Sequence, residues 1–159
     1  MCPIPVQFIE GIPDISEFTP SENNLLILDD LMEDSSNSKT VSNLFTRSSH
    51  HRNMSVILML QNLYHKGAAM RNVALNTKYL TLFENPHDRF QIKHLARQIF
   101  PDDPLFLIDA YRQATNRKHG YLNIYFGPNA TDDMRLSTGL FPPEIPIRFI
   151  PKKKQLGWK

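Results

Sequence analysis

Four short apolar runs frame any fold this chain can adopt. They are Leu25–Leu28, Ser55–Leu60, Tyr79–Phe83 and Tyr121–Phe126, each bounded by polar or turn-forming residues. All have the length of strands, and none approaches the ~20 apolar residues of a membrane helix. The first run, Leu25-Leu26-Ile27-Leu28, lacks polar alternation, which reads as a strand buried on both faces, as in parallel sheets. Between the runs the spacing turns helical. Val41, Leu44 and Phe45 fall at i, i+3, i+4 after Asp34, Ser35 and Ser36, which can cap a helix. Met70, Val73 and Ala74 suggest one face of a short helix after Gly67. From about Asp88, Ile92, Leu95, Ala96, Ile99 and Phe100 keep one helical face, Arg89, Lys93 and Arg97 occupy another, and Pro101 ends the helix. Asp102 or Asp103 can cap the next helix, with Pro104 in its first turn and Leu107, Ile108 and Tyr111 as its stripe. Strands alternating with helices predict an α/β fold, a mainly parallel sheet with flanking helices. In the last apolar stretch, Ile145–Ile150, Pro146 predicts an edge strand or extended tail.

Composition narrows the class. The single cysteine, Cys2, excludes an internal disulfide framework and a cysteine zinc site, and no basic residue beside it activates it as a nucleophile. The start, Met-Cys-Pro-Ile-Pro, has neither the basic nor the long apolar region of a signal peptide, so an intracellular setting is expected. The sequons at Asn53 and Asn129 are then chance matches. A net charge of +2 is too mild to argue for nucleic acid globally. His65, His87, His94 and His119 show no metal-ligand spacing. None of the six glycines precedes a lysine, so no G-x-x-x-x-G-K-[ST] phosphate-binding loop is present.

Ligands of open α/β sheets bind beyond the carboxyl ends of the strands. Those positions hold Asp29-Asp30, Gln61-Asn62, Glu84-Asn85 and Gly127-Pro128. Adjacent carboxylates repel, so Asp29 and Asp30 need solvent, a metal or a shared proton. A hard cation such as Mg²⁺ takes one or two carboxylates plus substrate phosphates. A strand-terminating turn is the plainer reading of the same pair. Gln61 ends the second run. Were the two strands neighbours, at ~4.8 Å, its amide could approach the carboxylates and orient water or touch a γ-phosphate.

With these residues in view, the chain resembles the second half of an FtsK–HerA-type P-loop ATPase. The resemblance rests on L-L-I-L-D-D (25–30), a basic segment from Arg47 to Arg52, R-N-M-S-V-I-L-M-L-Q-N-L-Y-H-K-G, then M-R-N-V-A-L-N-T-K-Y-L-T-L-F-E-N-P, with F-I-E-G-I-P ahead of them. Within that superfamily it is most similar to the genome-packaging ATPases of large DNA viruses and Maverick/Polinton elements, over residues 7–126. The resemblance implies an incomplete RecA-like P-loop core over 1–126 and a loop-rich extension over 127–159. It implies ATP and Mg²⁺ as cofactors, and as partners double-stranded DNA, a homo-oligomeric ring or a complementing Walker A half. By position Asp29 matches the Walker B aspartate that holds the metal. Asp30 stands where most members carry a catalytic glutamate. Gln61 matches the sensor residue, with Asn62 beside it as a nucleotide contact, and Arg52 or Arg47 is the expected arginine finger. The Walker A loop, which such ATPases carry upstream, is missing. The expectation is therefore a truncated product, a fragment or one piece of a split ATPase, inactive as an isolated chain. The alternative is a non-catalytic remnant that binds a protein partner or DNA.

Other basic features have plain readings beside functional ones. His50-His51-Arg52 could touch phosphate or serve as a solvated loop. Tyr64, His65, Lys66 and Arg71 could grip a nucleic-acid backbone or belong to a mobile loop. Lys152, Lys153 and Lys154 read as a solvated tail.

Overall fold

A computed structural model describes residues 5–14, 16, 18, 19, 21–29, 35–48, 53–62, 68–87 and 89–152. The chain divides into two compact units, Met1–Thr77 and Lys78–Lys159.

In the first unit, β1 (Asn24–Asp29) pairs in parallel with β2 (Met54–Met59), joined by α1 (Ser35–Asn43) and a π-helical turn (Leu44–Ser48); α2 (Ala68–Asn76) follows. The α1 sequence SSNSKTVSN is a weak helix former, rich in Ser, Thr and Asn. Tertiary packing supports it: Val41 and, just beyond, Leu44 are fully buried in a core with Leu28, Met54 and Val73. The Thr46 hydroxyl donates to the Ser42 carbonyl at 3.0 Å within the widened turn. One face of the strand pair, Leu26, Leu28, Val56 and Leu58, packs on this core. The other is open, with Leu25, Ile27, Ile57 and Met59 exposed. The expectation of a strand buried on both faces is thereby corrected: β1 alternates between covered and bare positions.

Register is fixed at the amino-terminal end of the pair. Asn53 sits at φ 47°, a left-handed conformation that Asn tolerates better than most residues. Its side-chain amide donates to Asn23 Oδ1 at 2.7 Å, and its carbonyl accepts from Asn24 N at 3.2 Å. Asn24 opposite Met54 then dictates every later pairing, ending with Asp29 opposite Met59.

The second unit contains β3 (Tyr79–Phe83), α3 (Arg89–Ile99), α4 (Pro104–Thr115), β4 (Tyr121–Tyr125), α5 (Asp132–Arg135), β5 (Leu136–Thr138) and β6 (Ile147–Phe149). Its four strands lie in the order β3-β4-β5-β6, antiparallel throughout. The predicted mainly parallel sheet, and with it the incomplete RecA-like core, is therefore overturned. The described residues form a two-stranded parallel sheet, a four-stranded antiparallel sheet and five α-helices.

Connection parity explains the difference. One helical run between β1 and β2 returns the chain to its starting end, so the strands are parallel. Two helices that pack on each other separate β3 from β4, so the chain comes back at the opposite end and β4 runs against β3. A further consequence is that Glu84-Asn85 and Gly127-Pro128, both just after strands, lie at opposite ends of this sheet.

Ile92, Leu95 and Ala96 of α3, with Leu107, Ala110 and Ala114 of α4, are buried, as are Leu82, Leu122, Ile124 and Leu136 of the sheet. Phe100 packs edge-on against Phe106, with centroids 5.1 Å apart, across the bend that Pro101 and Pro104 impose. Asp103 occupies the cap position of α4 without a side-chain cap hydrogen bond. The edge-strand reading of the last stretch holds, since β6 is terminal in the sheet and follows Pro146. Glu144 ties down the β5–β6 connection by pairing with Arg117 and accepting from the Tyr121 hydroxyl at 2.9 Å. That hydroxyl in turn accepts from Leu140 N at 2.7 Å. Gly139 is obligatory in this connection. Its φ is 69°, and a Cβ there would run into the Ile145 carbonyl oxygen.

Candidate functional site

The strand ends of the first unit bring together two of the predicted residues. Asp29 closes β1 opposite Met59, the last residue of β2, and Gln61 lies two residues further on. Asp29, Gln61 and Asn62 are all exposed. By alternation Asp29 shares the bare face with Leu25 and Ile27, whereas Leu26 and Leu28 face the core. Its carboxylate is thus presented beside an uncovered apolar surface.

The end of β1 thus presents an exposed carboxylate, with the Gln61 amide two residues past its cross-strand partner Met59. It does not amount to a protein-only metal cage: no group of three or more His, Cys, Asp or Glu residues able to hold a metal occurs among the described residues. Asp30 and Arg52 lie outside the described residues, as do His50, His51, Tyr64, His65, Lys66, Lys153 and Lys154. Arg47 falls in the π-helical turn that precedes β2.

The pairing of Asp29 with the end of β2 was foreseeable from the two apolar runs. The bare face was not, because nothing in L-L-I-L distinguishes a covered leucine from an uncovered one. Among the described residues, no helix is long and apolar enough to cross a membrane.

Comparison of the chain with protein-family models, with curated proteins and with solved structures finds no match.

Proposed function

We propose that the first unit is the Walker B-bearing part of an ATP-driven DNA-translocating motor, working inside the cell and completed by a segment that carries a Walker A loop. The observation that supports this reading is the register of β1 on β2, which sets Asp29 and Gln61 at the same end of adjacent parallel strands. In this reading Asp29 would hold Mg²⁺ and Asp30 would polarise the attacking water. Gln61 senses the γ-phosphate, Asn62 contacts the nucleotide, and Arg52 or Arg47 reaches a neighbour's nucleotide in a ring on double-stranded DNA. The metal would neutralise charge on the transferring phosphoryl group; the side chains position water and phosphate.

The bare face formed by Leu25, Ile27, Ile57 and Met59 also supports the reading. Parallel strands are ordinarily covered on both faces, and a complementing strand-and-helix segment would cover this one. Of the second reading, a non-catalytic chain that docks a protein partner or DNA, the same apolar face favours the protein-docking form.

Complementation separates the two. The chain is mixed with a polypeptide bearing the Walker A half of an ATPase of this class, and phosphate release is followed with and without Mg²⁺. The expected result is Mg²⁺-dependent release from the mixture and none from either component. Turnover by the chain alone, or a complex that forms but stays inactive, contradicts the proposal.

A further inference from the structure

The second unit carries a feature that the ATPase reading does not use. An open cleft of about 1030 Å³ lies between the β3–α3 loop and the carboxyl-terminal end of α4. Arg89, Lys93, Arg112, Arg117 and Lys118 line it, against one lining carboxylate, Glu84. Arg117 is engaged by Glu144, and Arg112 makes a loose 3.9 Å contact with Asp109. Arg89, Lys93 and Lys118 form no ion pair among the described residues, and Lys93 lies over the Phe90 ring at 5.5 Å. The cleft wall is braced: the Tyr111 hydroxyl donates to the Phe83 carbonyl at 3.0 Å and accepts from Asn85 N at 3.1 Å.

Phe83 belongs to two surfaces at once. It lines the cleft and also ends the exposed face of β3. Along that face Tyr79 is 59% exposed and Phe83 is 61% exposed, with exposed Thr81 between them. Tyr79 stacks on Tyr125 of β4 at 5.0 Å, and Thr81 donates to Asn123 Oδ1 at 3.1 Å, so the β3 platform is seated on its neighbour. The two aromatic positions are about 13 Å apart along the strand.

We infer that this unit binds single-stranded nucleic acid, with bases on Tyr79 and Phe83 and the phosphodiester backbone led into the basic cleft. The inference rests on the second unit alone and does not depend on the ATPase reading. Two observations and one general argument select this occupant. The cations come from separate segments around an open cleft, which suits a chain of phosphates; a single phosphate is held by converging donors in a closed pocket. The exposed aromatic face of β3 ends at Phe83, a residue that also lines the basic cleft, and exposed aromatic rings beside basic side chains are the combination that grips single strands. In a duplex the base faces are already stacked and offer nothing to Tyr79 or Phe83, so the aromatic platform favours the unpaired form.

The test is fluorescence anisotropy of the full chain with labelled oligothymidylate, oligouridylate and duplex DNA of equal length, each across a salt series. Both single strands are expected to bind, with affinity falling as salt rises, and the duplex to bind about 10-fold more weakly. Phe83→Ala should cost about 10-fold in single-strand affinity, and Phe83→Tyr should retain it. Arg89→Glu with Lys93→Glu should weaken binding and flatten the salt slope by about 0.7 for each phosphate that is no longer neutralised. Lys39→Glu, an exposed cation of the first unit, should leave binding unchanged. Circular dichroism of each variant verifies folding, and the Phe83→Tyr comparison stands even where Phe83→Ala does not fold. Duplex bound as tightly as single strand, and weakened equally by Arg89→Glu with Lys93→Glu, overturns the inference. So do folded Phe83 and Arg89/Lys93 variants that bind like the parent, or a Lys39→Glu loss equal to theirs.

Discussion

Leu122→Ala is expected to destabilise the second unit by about 3 kcal/mol. Leu122 is fully buried in β4, an interior strand paired with Leu82 of β3 on one side and flanked by β5 on the other. Truncating it removes apolar packing from a dense site and leaves a cavity lined by strand and helix side chains that collapse only in part. Chemical denaturation followed by circular dichroism measures the loss as a lower midpoint. Leu25→Ala is the informative contrast. Leu25 is 59% exposed on the bare face of β1, so its truncation should change stability by no more than about 0.5 kcal/mol. Similar losses at both positions would mean that the face carrying Leu25 is covered.

The largest functional effect is expected at Asp29. In the complemented assembly, Asp29→Asn should lower Mg²⁺-dependent phosphate release about 100-fold or more, because an isosteric amide removes the charge that holds the cation against the phosphates. The side chain is exposed at the end of β1, so folding should be unaffected within about 0.5 kcal/mol. A variant that folds, assembles and turns over at the parental rate would leave Asp29 as a turn residue.

Strand positions were legible because each apolar run carries its own evidence. Tyr79–Phe83 is the strand expected, and the other three runs shift by one residue at one end or both. Strand direction was not legible. The sequence between β3 and β4 announces two helices through Pro101 and Pro104, yet only counting them as a pair reveals that β4 must run against β3. Strand β5, Leu136-Ser137-Thr138, is too short for periodicity to register, and its place comes from pairing with β4 and β6. The parallel neighbourhood of Asp29 and Gln61 was readable as a condition on strand pairing, and Asn53 at positive φ supplies the register that meets it. The aromatic platform was hidden for another reason. Tyr79 and Phe83 look like core residues in Y-L-T-L-F, and only the alternation around buried Leu82 turns them outward.

The proposed ATPase reading places a metal–nucleotide complex at the carboxyl ends of β1 and β2. Paramagnetic broadening tests it most directly. With the Walker A-bearing polypeptide present and Mn²⁺ replacing Mg²⁺, addition of ATP should broaden the amide resonances of Asp29, Gln61 and Asn62, and leave those of Leu122 and Ile124 sharp. A complex that binds Mn²⁺-ATP while the Asp29, Gln61 and Asn62 signals stay sharp would contradict the account.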